Sequence, residues 1–336
     1  MKKRLLSSVS ITLVCLVPYL ISAPVHSLDL EKITAQADLI VVGRVLSIEE
    51  RESTSLELAG GAVVRATRFR ATLKVDRVLK GDLKSQDMFF EFLIPEYPTG
   101  LRGVDSGQYS IFFLKRDQSR WVFLDPMNPD LPAVPGGELP IGTPLEQVTD
   151  AVAQVLVSPA STDRDCFRAL DALGRLRTEH AGGLLRQALE HSSGTLRLDV
   201  ARTLVARGDI AGLAVIEDAL LRSGGLPEHV VAGLAGSLRG MKDPSAVPSL
   251  SRLIGSNNSL VRLGAAVGLR QTGSSAAIQP LSHLLGDTDP EVLYYAVAGL
   301  GEITHQDEWT PAMDEFKQHQ SHYLTYWRQW AQMNSN

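Results

Sequence analysis

Between Ala35 and Leu124 apolar and polar residues alternate with a period of two, the pattern of strands whose successive side chains point to opposite faces of a sheet. The clearest run places Phe69, Ala71, Leu73 and Val75 on one face and Arg68, Arg70, Thr72 and Lys74 on the other. Further strands are expected over 39–48, 88–94, 108–114 and 120–124. The last two flank the polar stretch Lys115 to Ser119, a hairpin signal. Five strands with little helix between them predict a small antiparallel β-barrel or sandwich over residues 28–124. Arg68, Arg70 and Lys74 read as its solvated face, and as a candidate seat for an acidic ligand.

The period changes after a proline-rich stretch. Residues 125–144 hold six prolines and the pair Gly136-Gly137, which predicts an extended connector and a domain boundary. Helical spacing returns with Leu145, Val148, Val152, Val155 and Leu156, a linking helix over 145–158.

From Asp163 the chain repeats itself. A leucine recurs at Leu173, Leu204, Leu238, Leu269 and Leu300, spaced by 31, 34, 31 and 31 residues. Twelve residues after the first four come Leu185, Ile216, Leu250 and Leu281; sixteen after come Leu189, Leu220, Ile254, Leu285 and, in the fifth unit, Phe316. Each unit reads as two short helices with a polar or glycine-rich break. One such pair cannot bury its apolar side alone, so neighbours must stack into a solenoid with a continuous core. Ala201, Ala235 and Ala266, each three before a marker leucine, let adjacent helices approach closely. The fifth unit departs: Ala312 stands where an apolar residue is due, and residues 310–333 are long and aromatic, with Met313, Phe316, Tyr323, Trp327 and Ala331 on one helical face. A capping helix is expected there, closing 163–336.

The period, the Asp243-Pro244 and Asp289-Pro290 helix starts, and Val261-Arg262-Leu263-Gly264-Ala265-Ala266-Val267-Gly268-Leu269 resemble HEAT repeats, especially the short bacterial type of phycobilisome lyases. The resemblance implies a right-handed α-solenoid of helical hairpins, a fold used for many purposes. In the other half, Ala37 to Val45, Lys74 to Gly81 and Ser106 to Phe112 resemble the strand order of netrin-like, OB-type barrels, as in the tissue inhibitors of metalloproteinases. Those inhibitors rely on a free N-terminal cysteine and a disulfide framework, both absent here, so their mechanism does not carry over. The expected class is a multidomain β + α chain.

Charge at the N-terminus adds a location. Lys2, Lys3 and Arg4 precede an uncharged apolar stretch from Leu5 to Ala23, and no acidic residue comes before Asp29. This is a secretory signal pattern over 1–27, with cleavage expected before Leu28 and, as the alternative, after Ala23. Thr12 stands where a lipobox prefers leucine, which argues against lipidation at Cys15. The expected protein is exported, periplasmic or secreted, with no stable transmembrane anchor after cleavage. Loss of three cations takes the net charge from −5 to −8, a balance that gives no general attraction to nucleic acid. Only Cys166 then remains, so an internal disulfide or cysteine metal cluster is excluded. Its helical spacing with Leu170 and Leu173 makes it a small buried hydrophobe.

Candidate chemistry is sparse. Nucleophile, phosphate-loop, dinucleotide and His-Glu-x-x-His motifs are missing, and no cofactor is implied. Glu179-His180, Glu190-His191 and Glu228-His229 resemble the paired His-Glu motifs with which deoxyhypusine hydroxylases hold two irons, but in reversed order and without second-half partners. Glu315, His319 and His322, at helical spacings i, i+4 and i+7, are the candidate metal ligands, against a reading as the wet side of the last helix. Tyr323, Tyr326, Trp327 and Trp330 are candidate partner-binding residues, because binding energy concentrates on such side chains. The reading that follows is an exported, non-enzymatic scaffold whose solenoid holds an unknown protein or peptide. The alternatives are a metal-dependent or lyase-like HEAT-repeat enzyme, and a netrin-like inhibitor or adaptor.

Overall fold

The computed structural model describes residues 28–334, apart from 59–60, 98 and 223–224. The expected signal segment, 1–27, lies outside the described residues. Among those described, no helix is long and apolar enough to cross a membrane.

The N-terminal half is a six-stranded mixed sheet preceded by a short helix. In α1 (Leu30–Gln36) the Asp29 carboxylate caps the first turn by accepting from the Lys32 N–H at 2.9 Å, and Leu30 and Ile33 are buried. The strands are β1 (Leu39–Glu57), β2 (Val63–Lys80), β3 (Asp87–Pro95), β4 (Tyr109–Asp117), β5 (Arg120–Phe123) and β6 (Asp130–Pro132). β1 pairs with β2 and with β4, β2 with β3, and β4 with β5 and β6, all antiparallel. β3 and β5 run parallel, with Glu91 opposite Val122. An all-antiparallel sheet was the expectation; this one pairing corrects it, because β4 and β5 form a hairpin whose second strand turns back along β3. The pairings return to their start, β1–β2–β3–β5–β4–β1. Gly43 sits at an irregular register position, where an added Cβ would lie 2.2 Å from the Lys74 carbonyl oxygen.

The sheet has two faces of burial. Leu39, Val41, Leu73, Phe90, Phe112 and Phe123 point to one core, in which the ring of Phe90 lies 5.4 Å from Phe112 and 5.0 Å from Phe123. Ile40, Val42, Ile111 and Phe113 point the other way into a core shared with the helices. Leu39 to Val42 and Ile111 to Leu114 are therefore unbroken apolar runs, since both sides of these segments are covered.

The proline-rich stretch is not bare extended chain. It carries β6, and Leu131 within it is buried in the shared core. Pro132 ends the strand, as a residue without an N–H can. Next comes α2 (Pro144–Val157), opened by a capping box between Thr143 and Glu146.

Ten more helices follow: α3 (Asp163–Arg175), α4 (Glu179–His191), α5 (Gly194–Ala206), α6 (Leu213–Leu221), α7 (Glu228–Ser237), α8 (Val247–Leu253), α9 (Ser259–Thr272), α10 (Ile278–His283), α11 (Pro290–Thr304) and α12 (Met313–Met333). The first helices of the five hairpins, α3, α5, α7, α9 and α11, contact one another in order. All five marker leucines have no measurable exposure, and neither do Leu185, Ile216, Leu250 and Leu281. Contact between neighbours is backbone-close: a Cβ on Gly264 of α9 would stand 2.2 Å from the Ala235 carbonyl oxygen of α7. Asp209, Asp243 and Ser274 cap the single 3-10 turns that lead into α6, α8 and α10.

Ion pairs and cation-to-carbonyl contacts tie unit to unit. Arg262 of α9 makes two bonds to Asp287, at 2.7 and 2.9 Å, on the loop before α11. Arg270 reaches Glu302 of α11 at 2.7 Å. Arg207 donates to the Leu173 and Gly174 carbonyls at the end of α3, at 3.0 and 3.3 Å, supplying the helix terminus with the donors it lacks.

Candidate interaction surface

One apolar column of the helical array is only partly taken up by its core. Six residues before each marker leucine stand Phe167, Leu198, Ala232, Leu263 and Tyr294. A constant offset from a packed marker puts the five at the same flank of successive first helices. Phe167 is 67% exposed, Ala232 is exposed, Leu198 and Tyr294 are half-buried, and Leu263 is buried. Two of the five, Phe167 and Ala232, are exposed, while Leu263 belongs to the core and Tyr294 packs against it. In the sequence this column is obscured by the buried columns, whose period it shares. The same period of 31 to 34 residues would have found it.

The candidate partner-binding residues of α12 divide. Tyr323 and Trp327 are buried, Trp327 completely, and its indole N–H donates to the Trp309 carbonyl at 3.1 Å. They fill the cap over α11 with Phe316. Tyr326 and Trp330 are half-buried. Tyr326 stacks on Trp309 with centroids 3.6 Å apart and planes within 3°, and its hydroxyl bonds to Gln306. Trp330 packs edge-on against Trp327. α12 bends at His319, whose backbone is non-helical.

The candidate metal ligands are not assembled. The Glu315 carboxylate accepts from the Tyr323 hydroxyl at 2.6 Å, and the His322 ring lies over Trp309 at 5.0 Å. Glu179 instead pairs with Arg186, and His191 Nδ1 bonds to the Gln187 carbonyl oxygen at 2.8 Å. Among the described residues no three His, Cys, Asp or Glu side chains are grouped to hold a metal ion. Cys166 is buried, and burial pushes its thiol above the usual range.

Two buried carboxylates do find partners. Asp130 of β6 accepts from Ser110 and Gln108 at 2.8 Å, and from Arg168 of α3 at 3.0 and 3.2 Å. Arg168 also reaches the Asp130 carbonyl at 2.5 Å, so one clasp joins two strands to the first hairpin. Asp150 of α2 meets His180 of α4 at 3.2 Å through Oδ1, while its Oδ2 is buried without a hydrogen bond. Burial raises the Asp150 carboxyl above its ordinary value, and His180 offsets only part of this.

The basic strand face is also partnered. Arg70 donates to Glu91 Oε1 at 3.0 Å, while Arg68 and Arg120 meet its Oε2 at 3.4 and 3.3 Å. Burial pushes this carboxyl up, and the three guanidinium groups bring it below its usual range. Arg68 and Arg70 are thus spent on an internal acid.

The sequence family of HEAT repeats matches residues 225–301, the span from α7 to α11. The C-terminal region carries HEAT repeats. Among solved structures, the complex of CpcE and CpcF of phycocyanin lyase from Nostoc sp. PCC7120 is similar at 20% identity. That match covers 54% of this chain and 72% of that one, with a TM-score of 0.37. Human deoxyhypusine hydroxylase in complex with glycerol is similar at 17% identity over 55% of this chain and 94% of that one, with a TM-score of 0.22. Among curated proteins none matches the chain. HEAT repeats suggest a scaffold or protein-interaction role.

Proposed function

We propose that the protein is an exported scaffold whose HEAT-repeat solenoid holds a protein or peptide partner along the column from Phe167 to Tyr294. The observation that carries this is the column itself: apolar in all five units, repeated with the core, and left open at Phe167 and Ala232. An extended or helical partner with apolar anchors at matching intervals would bury it, each large side chain contributing about 1.5–3 kcal/mol if fully covered. Export is supported by the signal pattern of 1–27. An OB-type barrel in the N-terminal half is supported by strand pairings that return to β1, with the single parallel pair between β3 and β5.

The test uses residues 28–336 as bait in an envelope extract, beside a Phe167→Asp/Leu198→Asp variant. A partner held reproducibly by the parent and released by the variant, with unchanged circular dichroism, is the expected result. The same proteins bound by both baits, or none by either, would overturn the assignment of the column. Full-length chain recovered in the cytoplasm with residues 1–27 attached would overturn export.

A further inference from the structure

A cleft lies on the β half. It is a cavity of about 500 Å³ bordered by β3, the end of β4, β5 and the connection from β3 to β4, with Leu56 of β1 and Arg68 of β2. β3 and β5 pair at one register position only, Glu91 opposite Val122. The strands do not pair beyond it, so the core ring of Phe123 borders the cavity, alongside Leu93, Leu101, Val122 and Pro126.

The rim is cationic in an acidic chain. Arg68, Arg102, Lys115, Arg116 and Arg120 line the cavity, against Glu91 and Asp117. Arg68 and Arg120 are committed to Glu91, with Glu52 at 3.2 Å and Asp117 at 3.9 Å as further partners. Arg102, Lys115 and Arg116 are exposed and have no ion pair among the described residues. The Arg116 guanidinium lies over the Trp121 ring at 4.7 Å, and only its backbone N–H meets an acid, Asp38, at 2.8 Å. Lys115 pairs across with Val122 on the cavity side of β4, whereas Arg116 faces the other way onto Trp121; the unpaired Lys115 and Arg102 border the cavity, and a bound anion would offset their charge. The volume falls in the range of small-molecule sites, roughly 300–1,000 Å³.

We infer that this cleft binds a small anionic amphiphile, an alkyl or aryl carboxylate or phosphate monoester. Its head sits between Arg102 and Lys115, and its hydrocarbon body lies on Leu93, Leu101 and Val122. Guanidinium groups suit such heads because their paired N–H donors match two oxygens at once. The cleft is separate from the solenoid column, so the two readings stand or fall independently.

Isothermal titration of the chain from residue 28 with octyl phosphate, octyl glucoside and inorganic phosphate tests it. Octyl phosphate is expected to saturate one site, and the neutral amphiphile and the bare anion to bind at least about tenfold more weakly. Arg102→Glu/Lys115→Glu is expected to weaken octyl phosphate by about tenfold or more, and Leu101→Asp likewise, while Phe167→Asp/Leu198→Asp leaves it unchanged. Equal affinity for octyl glucoside, or full affinity in a folded Arg102→Glu/Lys115→Glu variant, would overturn the site. So would the absence of binding, or an acidic apolar peptide occupying the cleft where octyl phosphate does not. The ligand comparison on the parent chain decides the matter even where a variant fails to fold.

Discussion

Replacement of Gly264 by alanine sets two effects of opposite sign against each other. Alanine is the better helix former by up to about 1 kcal/mol, which on its own would stabilise α9. The new methyl, however, would lie 2.2 Å from the Ala235 carbonyl oxygen and 3.0 Å from its carbon. Carbon and oxygen in close contact stand roughly 3.3–3.6 Å apart, so α7 and α9 must separate by about 1 Å. Nothing flexible can yield there, because the obstacle is backbone. Overpacking of this kind costs about 1–3 kcal/mol, and a gap of that width also forfeits about a quarter to a half of the dispersion energy of the contacts it opens. The clash wins, for a net loss of about 2 kcal/mol. Gly236→Ala is the matched control: it lies in α7, faces solvent, and a Cβ there meets nothing within 4 Å. Urea unfolding followed at 222 nm should show a lowered midpoint for Gly264→Ala and an unchanged or raised one for Gly236→Ala. A Gly264→Ala protein as stable as the parent would refute the claim that backbone approach sets the spacing of the repeats.

Four further substitutions probe the cap, the clasp and the buried acid. Trp327→Ala should cost about 3–5 kcal/mol, since the ring is fully buried and its N–H is bonded, and α12 should become the first site of limited proteolysis. Arg168→Met leaves Asp130 buried beside Ser110 and Gln108 without its cation, a loss of about 3–5 kcal/mol in urea unfolding. Asp130→Ala/Arg168→Met should lose less than the two single changes summed. Asp150→Asn should raise the melting temperature at pH 7. The native carboxyl is raised above its unfolded value, so ionising it costs stability as pH climbs through that interval. The gain should vanish below about pH 4, where both states are protonated. A gain independent of pH would show that burial of the charge is not its cause.

The solenoid was legible because its signal is redundant. Leu173, Leu204, Leu238, Leu269 and Leu300 keep phase with two more columns, and a residue that must be buried once per unit cannot vary freely. The strands were legible where one face is wet. What stayed hidden depends on meetings between distant segments. Glu91 meets Arg120 across 29 residues and Asp130 meets Arg168 across 38, and neither pair leaves any local pattern. The parallel pairing of β3 with β5 is likewise a meeting of distant segments that composition does not encode. The sequence does hold one sign of the shared core: Leu39 to Val42 and Ile111 to Leu114 are apolar without alternation, which implies cover on both sides. The strand β6 was masked by prolines that favour extended chain of any kind. On α12, helical spacing alone put Glu315 and His322 on one candidate site, whereas aromatic neighbours claimed each of them separately.

The core shared by Ile40, Ile111, Phe113 and Leu131 with α2 bears on how such a protein can change in length. A stack of helical pairs has two raw ends. Here α12 seals the last, and the β half, laid against α2 and α3, seals the first. Neither terminus therefore offers a free face on which another pair could be added. Lengthening must proceed by duplication within the interior, between hairpins that already match each other, and shortening must remove whole pairs from the same place. Variants with one interior hairpin more or fewer should remain soluble, whereas chains cut at Pro144 should expose an apolar face and associate.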